Sequence, residues 1–285
     1  MHRKPQELFL VNIETFLRSN LRYFINDMQG LMKFNWFFSC ILFFCTAYVA
    51  SVCTVSQDAQ YVLMIPLYNE PNPARIAEYI FCFARNMQHH RIEKIHVIYD
   101  TSCDDGSNAL LRYLQNQNCI ITYTVGRPTY TFCFDVVNEL YPNKKIILAN
   151  ADIFFNKTLE LLDEYDLTNQ FLALTRWDVC ADKTIRIFKQ YDHRGRFSPG
   201  DSASSQDVWI FKTPLRKFQD AAIQMGTMTC DSLIAYQAYA AGLIVRNPCL
   251  SMQCCHLHIS EKKQYDPATR VTNKPIRIVP WETLY

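Results

Sequence analysis

Asn150 and Asp152 stand two residues apart at the end of an apolar run, within Lys-Lys-Ile-Ile-Leu-Ala-Asn-Ala-Asp-Ile-Phe-Phe-Asn at residues 144–156. Residues i and i+2 of an extended chain point the same way, so an amide oxygen and a carboxylate placed there could both face a hard cation carrying a diphosphate. The alternative is a plain strand-end turn, for which Asn and Asp are suited by their local hydrogen bonds. His256 and His258, in Cys-Cys-His-Leu-His-Ile-Ser, alternate on a segment read as extended and would share one face, each offering a neutral ring nitrogen. Asp231, in Gly-Thr-Met-Thr-Cys-Asp-Ser before an apolar helix predicted at 233–241, sits at or near a helix N-terminus. A carboxylate at a helix start has a purely structural use, as cap and dipole partner. Asp207, in Ser-Ser-Gln-Asp-Val-Trp-Ile-Phe, stands just before a short apolar run.

The elements that must position these groups alternate. An apolar strand is expected at 61–66, a helix at 74–91 with Ile76, Tyr79, Ile80, Phe83 and Met87 in register, and a second strand at 94–99. A Ser/Asp/Gly loop at 101–106 leads to a helix at 107–115, a strand at 119–124 and a helix at 131–140 that feeds the run at 146–149. Further apolar strands are expected at 171–175 and 243–245, and a short one ends the stretch 204–211. Uninterrupted apolar strands separated by helices predict a mostly parallel central sheet with helices on both faces, whose ligands lie beyond the strands' carboxyl ends.

With that order in place, Pro66-Leu67-Tyr68-Asn69-Glu70 after the first strand resembles the opening of many GT-A glycosyltransferases. Asp100 with Asp104-Asp105-Gly106-Ser107 resembles their nucleotide-facing acidic loop, and Asn150-Ala151-Asp152 falls where they carry D-x-D, with Asn replacing the first Asp. The resemblance covers about residues 60–262 and implies a GT-A-like domain that moves a sugar from a nucleotide-sugar donor, with UDP or GDP, to an acceptor hydroxyl of a glycan, protein or lipid. On that resemblance Pro66, Tyr68 and Glu70 line the base and ribose, Asp100 lies near the base edge, and Asn150 is a donor contact. Asp152, completed by His256 or His258, would hold Mn²⁺ or Mg²⁺, which neutralises the departing diphosphate. Trp177 and Trp209 would stack on the acceptor while Gln206 hydrogen-bonds it, the alternative for each Trp being simple core. The same resemblance implies that Asp231, in a loop-to-helix position where inverting GT-A enzymes place their general base, deprotonates the acceptor hydroxyl, with Asp207 its competitor for that role.

Composition excludes several classes. The chain has 285 residues, 49% of them hydrophobic, a formal net charge of +2 and 7 glycines. That balance does not suggest nucleic acid, and no Gly-rich phosphate loop of the P-loop or dinucleotide type is present. A nucleotidyltransferase on a similar sheet would want such a loop. Asn150 would equally suit a catalytically degenerate protein that binds a glycan or nucleotide without turnover. A membrane-tethered interaction protein would leave the carboxylates and histidines as ordinary surface residues.

Residues 34–55 carry no charge and are long enough to cross a bilayer, which takes about 20 residues. Arg3, Lys4, Arg18, Arg22 and Lys33 precede them, so the positive-inside rule predicts a type II single-pass signal anchor. The expected organisation is an amphipathic cytoplasmic segment at 1–33, the transmembrane helix at 34–55, the GT-A-like domain at 58–262, in a Golgi- or ER-like lumen if eukaryotic, and a C-terminal tail at 263–285. A cleaved signal peptide from Met32 is the alternative. The 12 cysteines include no CxxC pair, which argues against zinc, and Asn156-Lys157-Thr158 is a glycosylation sequon beside the proposed metal site.

Overall fold

The computed structural model describes residues 60–102, 108–192, 194–260 and 270–285. The segments expected at 1–33 and 34–55, and Asp104 and Asp105 of the acidic loop, lie outside them. No helix among the described residues is long and apolar enough to cross a membrane.

The first half alternates strand and helix: β1 (Tyr61–Tyr68), α1 (Pro73–Met87), β2 (Ile92–Asp100), α2 (Ala109–Gln115), β3 (Ile120–Thr124), α3 (Tyr130–Leu140) and β4 (Lys145–Ala149). The second half adds β5 (Ile153–Phe155), β6 (Gln170–Leu174), β7 (Trp177–Val179), β8 (Ile185–Ile187), α4 (Pro199–Ala203), β9 (Val208–Lys212), α5 (Cys230–Ala240), β10 (Ile244–Arg246) and β11 (Cys254–His256). Seven strands form the main sheet in the order β10-β6-β9-β4-β1-β2-β3. Its pairings are parallel apart from those of β9, which runs antiparallel to both β4 and β6. The carboxyl ends of the parallel strands and the amino end of β9 therefore share one edge.

Strand alternation explains the layering. Leu63, Ile65, Ile147, Ala149, Leu172 and Ile210 face one core, and Val62, Met64, Ile146, Leu148, Phe171 and Trp209 face the other. With both faces covered, the strands read as continuous apolar runs, and each buried Leu or Ile contributes about 1.5–3 kcal/mol.

Helix α1 starts where Pro73 supplies a preset φ and Asn72 accepts from the Ala74 N–H at 3.0 Å. It ends at Met87, four residues before the sequence expectation. The Arg91 carbonyl is needed by the sheet, accepting from the N–H groups of Gln60 and Tyr61 at 3.0 Å each, so the chain turns early. On the buried face of α1 lie not only Tyr79, Cys82 and Phe83 but also Arg75, Glu78 and Asn86.

The apolar pattern does not predict the second sheet, which has four strands. Its order is β5-β11-β7-β8, and each strand has only three residues. Asn86 ties it to α1, donating to the Ile153 carbonyl at 2.8 Å and accepting from the Phe155 N–H at 3.0 Å. Replacing Asn86 with Ala strands both backbone groups in a buried position. We expect a loss of about 2–4 kcal/mol in denaturant unfolding, and a value within 0.5 kcal/mol or so of zero would refute this role.

Of the C-terminal stretch, residues 270–285 wrap onto the domain. Val279 and Leu284 are buried, Trp281 donates through Nε1 to Thr175 Oγ1 at 3.2 Å, and Glu282 pairs with Arg246 at 2.8 Å. Cys82, Cys119, Cys133, Cys180, Cys230, Cys249, Cys254 and Cys255 are free thiols.

Candidate active site

Beyond the carboxyl edge of the main sheet, the two oxygen-bearing residues at the end of β4 diverge. The Ile153 N–H donates to the Asn150 carbonyl at 3.2 Å, which closes a turn, so the extended geometry that would aim both side chains one way is not formed. Asn150 Nδ2 instead donates to Asp207 Oδ1 at 2.8 Å. Asp152 turns toward α1 and β11. The Asn-x-Asp spacing does not produce a shared cation face; the turn separates its two members.

Asp152 meets the late histidines. Its Oδ2 accepts from Arg75 Nη2 and lies 3.1 Å from His256 Nε2. One ligand atom from each of Asp152, His256 and His258 falls within 4.8 Å of the others. The remaining carboxylate oxygen, Asp152 Oδ1, is buried without a hydrogen-bond partner. A buried carboxylate with one orphaned oxygen and two imidazoles, once a cation displaces the His256 proton, is a donor set that suits a divalent first-row cation. These residues fit Mn²⁺, and the mixed N and O donors suit Mg²⁺ less well.

The sheets account for this convergence. β5 follows the Asn150 turn and pairs antiparallel with β11, placing Ile153 opposite His256. β11 also pairs with β7, which sets His256 beside Asp178. His256 Nδ1 lies 2.8 Å from Asp178 Oδ1, the kind of carboxylate contact that fixes the orientation of an imidazole. Burial alone would lower the His256 pKa, but Asp152 and Asp178 raise it to about 9. For Asp152, burial would favour the neutral acid; His256 and Arg75 outweigh it and hold the carboxyl well below the usual range. His258 is pushed down by burial and by Arg75, which keeps its ring neutral.

Asp178 links this cluster to a second one. Arg176 donates to Asp178 Oδ1 at 2.9 Å through Nε and to Asp207 Oδ2 at 3.1 Å through Nη1. Both Asp207 oxygens are thus engaged, one by Asn150 and one by Arg176. Asp231, in the first turn of α5, differs. Its side-chain neighbours are Cys230 Sγ at 3.1 Å, a weak thiol donor, and Tyr130 Oη at 3.5 Å, and the Gln206 backbone and Arg176 also act on it. Burial, followed by the nearby Asp207 charge, raises its pKa to about 7.

The remaining sequence-derived candidates are distributed as follows. Tyr68, closing β1, donates to Glu70 Oε2 at 2.8 Å, and Glu70 Oε1 accepts from the Asn72 N–H at 3.0 Å. Pro66 lies within β1 and is half-buried. Asp100 Oδ1 accepts from the N–H groups of Ser102 at 2.9 Å and Gly126 at 2.8 Å, fastening the ends of β2 and β3. Trp177 is half-buried at the start of β7, its Nε1 donating to the Cys249 carbonyl at 2.8 Å.

Two acceptor candidates need correction. Trp209 is 1% exposed, with Tyr130 edge-on at 5.0 Å, because its position in β9 faces the core between sheet and helices. Gln206 is fully buried and donates to the Ala203 carbonyl. Neither has surface for a sugar. Trp209→Ala should cost about 3–5 kcal/mol in denaturant unfolding, as removal of a packed indole does, whereas a loss of turnover at unchanged stability would restore the acceptor role.

Sequence reading does not single out Arg75, Glu78, Arg176 and Asp178. A signal exists for the first two: charged residues three apart on the apolar stripe of a helix must be paired when buried. Arg75 Nη1 donates to Glu78 Oε2 at 2.7 Å and to the Leu257 carbonyl at 3.1 Å. Glu78 accepts from the Ile259 and Ser260 N–H groups at 2.8 Å each, so α1 clamps the segment that carries His258.

No protein-family model matches the chain, and no curated protein matches it by sequence. Solved structures do. The mannosyltransferase PcManGT from Pyrobaculum calidifontis, in complex with GDP-Man and Mn²⁺, superposes with a TM-score of 0.45 at 13% identity, over 74% of this chain and 60% of that one. GalNAc-T7 with UDP, GalNAc and Mn²⁺ gives 0.48 at 12% identity, over 73% and 45%. S. aureus TarS 1–349 in complex with UDP-GlcNAc gives 0.42 at 14% identity, over 73% and 60%. The chain thus spans less than two thirds of each of these structures.

Proposed function

We propose that the chain is a divalent-cation-dependent glycosyltransferase that moves a sugar from a nucleoside-diphosphate donor to an acceptor hydroxyl. The observation that carries this reading is the pairing, beyond the carboxyl edge of one sheet, of a cation-suited triad with a separate carboxyl whose proton affinity sits near neutrality. Asp152, His256 and His258 would hold the cation, whose contribution is to neutralise charge on the departing diphosphate.

The chain's own residues do the rest. Asp231 takes the proton of the acceptor hydroxyl as its oxygen attacks the anomeric carbon, the bond from that carbon to the diphosphate oxygen breaks, and the nucleoside diphosphate leaves. In-line displacement inverts the anomeric centre. Asp207 is not suited to the base role, since Asn150 and Arg176 occupy both its oxygens. A base whose pKa lies near the working pH is the efficient choice, which favours Asp231. Asp178 and Arg176 orient His256 and Asp207. Tyr68, Glu70 and Asp100, at the ends of β1 and β2, belong to the nucleoside side of this arrangement.

A type II orientation with residues 34–55 as anchor goes with the reading, and hexosyl or N-acetylhexosaminyl transfer is the class to test first. In that setting the Asn156 sequon is poorly suited to carry a glycan. Its Oδ1 accepts from Thr158, and its Nδ2 donates to Gln253 at 2.8 Å.

The test is a thermal-shift and calorimetric screen of the full-length chain in mild detergent against UDP, GDP, CMP and their sugars, with Mn²⁺, Mg²⁺ or chelator. Stabilisation by one nucleoside diphosphate that needs the metal is expected; at a ligand concentration of about 100 times Kd it amounts to roughly 2.7 kcal/mol. A folded chain that binds none of them would retire the enzyme reading.

A further inference from the structure

Arg75 is a guanidinium placed where a cation would bind. It is buried on α1, its Nη2 reaches Asp152 Oδ2, and its guanidinium carbon lies 4.7 Å from the centre of the Tyr79 ring. The Asp152 oxygen left over is the buried, unpartnered Oδ1. A divalent ion entering between Oδ1, His256 and His258 would therefore share one carboxylate with a positive charge a few ångströms away. Like charges so close, in a site shielded from water, repel strongly. A diphosphate lying between them would remove the conflict, since it carries enough negative charge to serve both.

The contacts of Arg75 permit that exchange without removing the side chain. Nη1 is anchored on the far side by Glu78 Oε2 at 2.7 Å and the Leu257 carbonyl at 3.1 Å, and only Nη2 points at Asp152. A fixed fork with one arm anchored by Glu78 and Leu257 and the other held only by Asp152 suits recognition of a phosphate oxygen.

We infer that Arg75 is a donor-binding residue that holds Asp152 while the site is empty and gives its Nη2 arm to the diphosphate when cation and donor enter together. Arg75 thereby opposes binding of the cation alone and makes cation and nucleoside diphosphate strongly cooperative. The inference rests on the glycosyltransferase reading of this site.

The experiment is titration of the full-length chain in detergent with Mn²⁺, following free Mn²⁺ by electron paramagnetic resonance, with and without UDP or GDP, in wild type, Arg75→Met and Arg75→Lys. Direct coordination of phosphate by metal gives some coupling in any such site, so the share of Arg75 is the difference between wild type and variant. In wild type the nucleotide should tighten Mn²⁺ by about tenfold or more, and Mn²⁺ should tighten the nucleotide by the same factor. Arg75→Met should bind Mn²⁺ alone about tenfold more tightly than wild type and lose most of the coupling. Arg75→Lys keeps the charge without the fork, so it should bind Mn²⁺ alone as weakly as wild type while coupling less. This variant carries the test if the methionine variant does not fold.

Wild-type behaviour in both variants would overturn the inference and leave Arg75 as a counter-ion of Asp152. Independent binding of Mn²⁺ and nucleotide in wild type would overturn it too, together with the cation dependence of the proposed transfer, and would leave only nucleotide binding standing. A wild-type chain that binds neither UDP nor GDP would defeat the inference and the glycosyltransferase reading together.

Discussion

Asp152→Ala is expected to abolish metal-dependent stabilisation by UDP or GDP and to lower kcat/KM by on the order of a thousandfold or more, as loss of the charge-neutralising group at a departing diphosphate does. The carboxylate is the one anionic member of the candidate triad, and its unpartnered Oδ1 is the oxygen available to a cation. The substitution also has a structural cost. Asp152 is the acceptor that Arg75 and His256 share in a buried site, and its removal leaves a guanidinium and an imidazole facing each other. Breaking a buried pair by deleting one partner costs about 3–5 kcal/mol. The alanine variant should therefore melt lower even without ligand.

Asp152→Asn separates the two effects. It keeps the shape and one carbonyl oxygen for Arg75 while losing the charge, so it should fold better than the alanine variant and still fail to couple nucleotide to metal. A folded Asp152→Asn chain with undiminished Mn²⁺-dependent stabilisation by UDP or GDP would sink the metal assignment.

Asp231→Asn should leave donor binding intact and reduce turnover by about 10²–10⁴, the range for loss of a general base. It should also make the protein more stable. The Asp231 carboxyl has a pKa raised to about 7 by burial and by Asp207, against an ordinary value of 3.8. Below pH 3.8 both folded and unfolded chains carry the proton, and the group has no effect on stability. Between pH 3.8 and about 7 the unfolded chain ionises while the folded one does not, so stability falls as pH rises; above about 7 the penalty is constant. Its full size is on the order of 4 kcal/mol.

The asparagine variant escapes that penalty. Its unfolding free energy should exceed that of wild type by a few kcal/mol at about pH 8, with the gap closing by about pH 4. In wild type, kcat/KM should climb through about pH 7 as the base loses its proton and then level off. Denaturant melts at the two pH values, beside a pH–rate profile, decide the matter. An Asp231→Asn enzyme with wild-type turnover would exclude this carboxyl as the base whatever its stability.

The architecture is largely present in the sequence. The runs that form β1, β4 and β6 are apolar without interruption because both their faces are covered, and the helices between them carry their own periodicity, so a mostly parallel sheet with helices on both faces can be read directly. Local chemistry also marks Asp152, Asp231, His256 and His258, since carboxylates at element ends and alternating imidazoles are local patterns. Whether those residues act as assigned is decided by the Asp152 and Asp231 variants.

The partners of these residues come from the way the chain folds. Asp152 meets Arg75 from 77 positions away and His256 from 104, and Glu78 holds Ser260 across 182. No local pattern specifies such pairings; strand order and the three-residue strands of the second sheet do. The sequence could not show that the chain turns at Asn150, which sends that amide to Asp207 rather than to the cation side. Nor could it show that both faces of β9 are covered, which buries Trp209 whichever way its side chain points. Identity and spacing determined which chemistries this chain can offer. Which groups stand within bonding distance is a property of the folded sheets, because hydrogen bonds and ion pairs depend on distances in space rather than on separation along the chain.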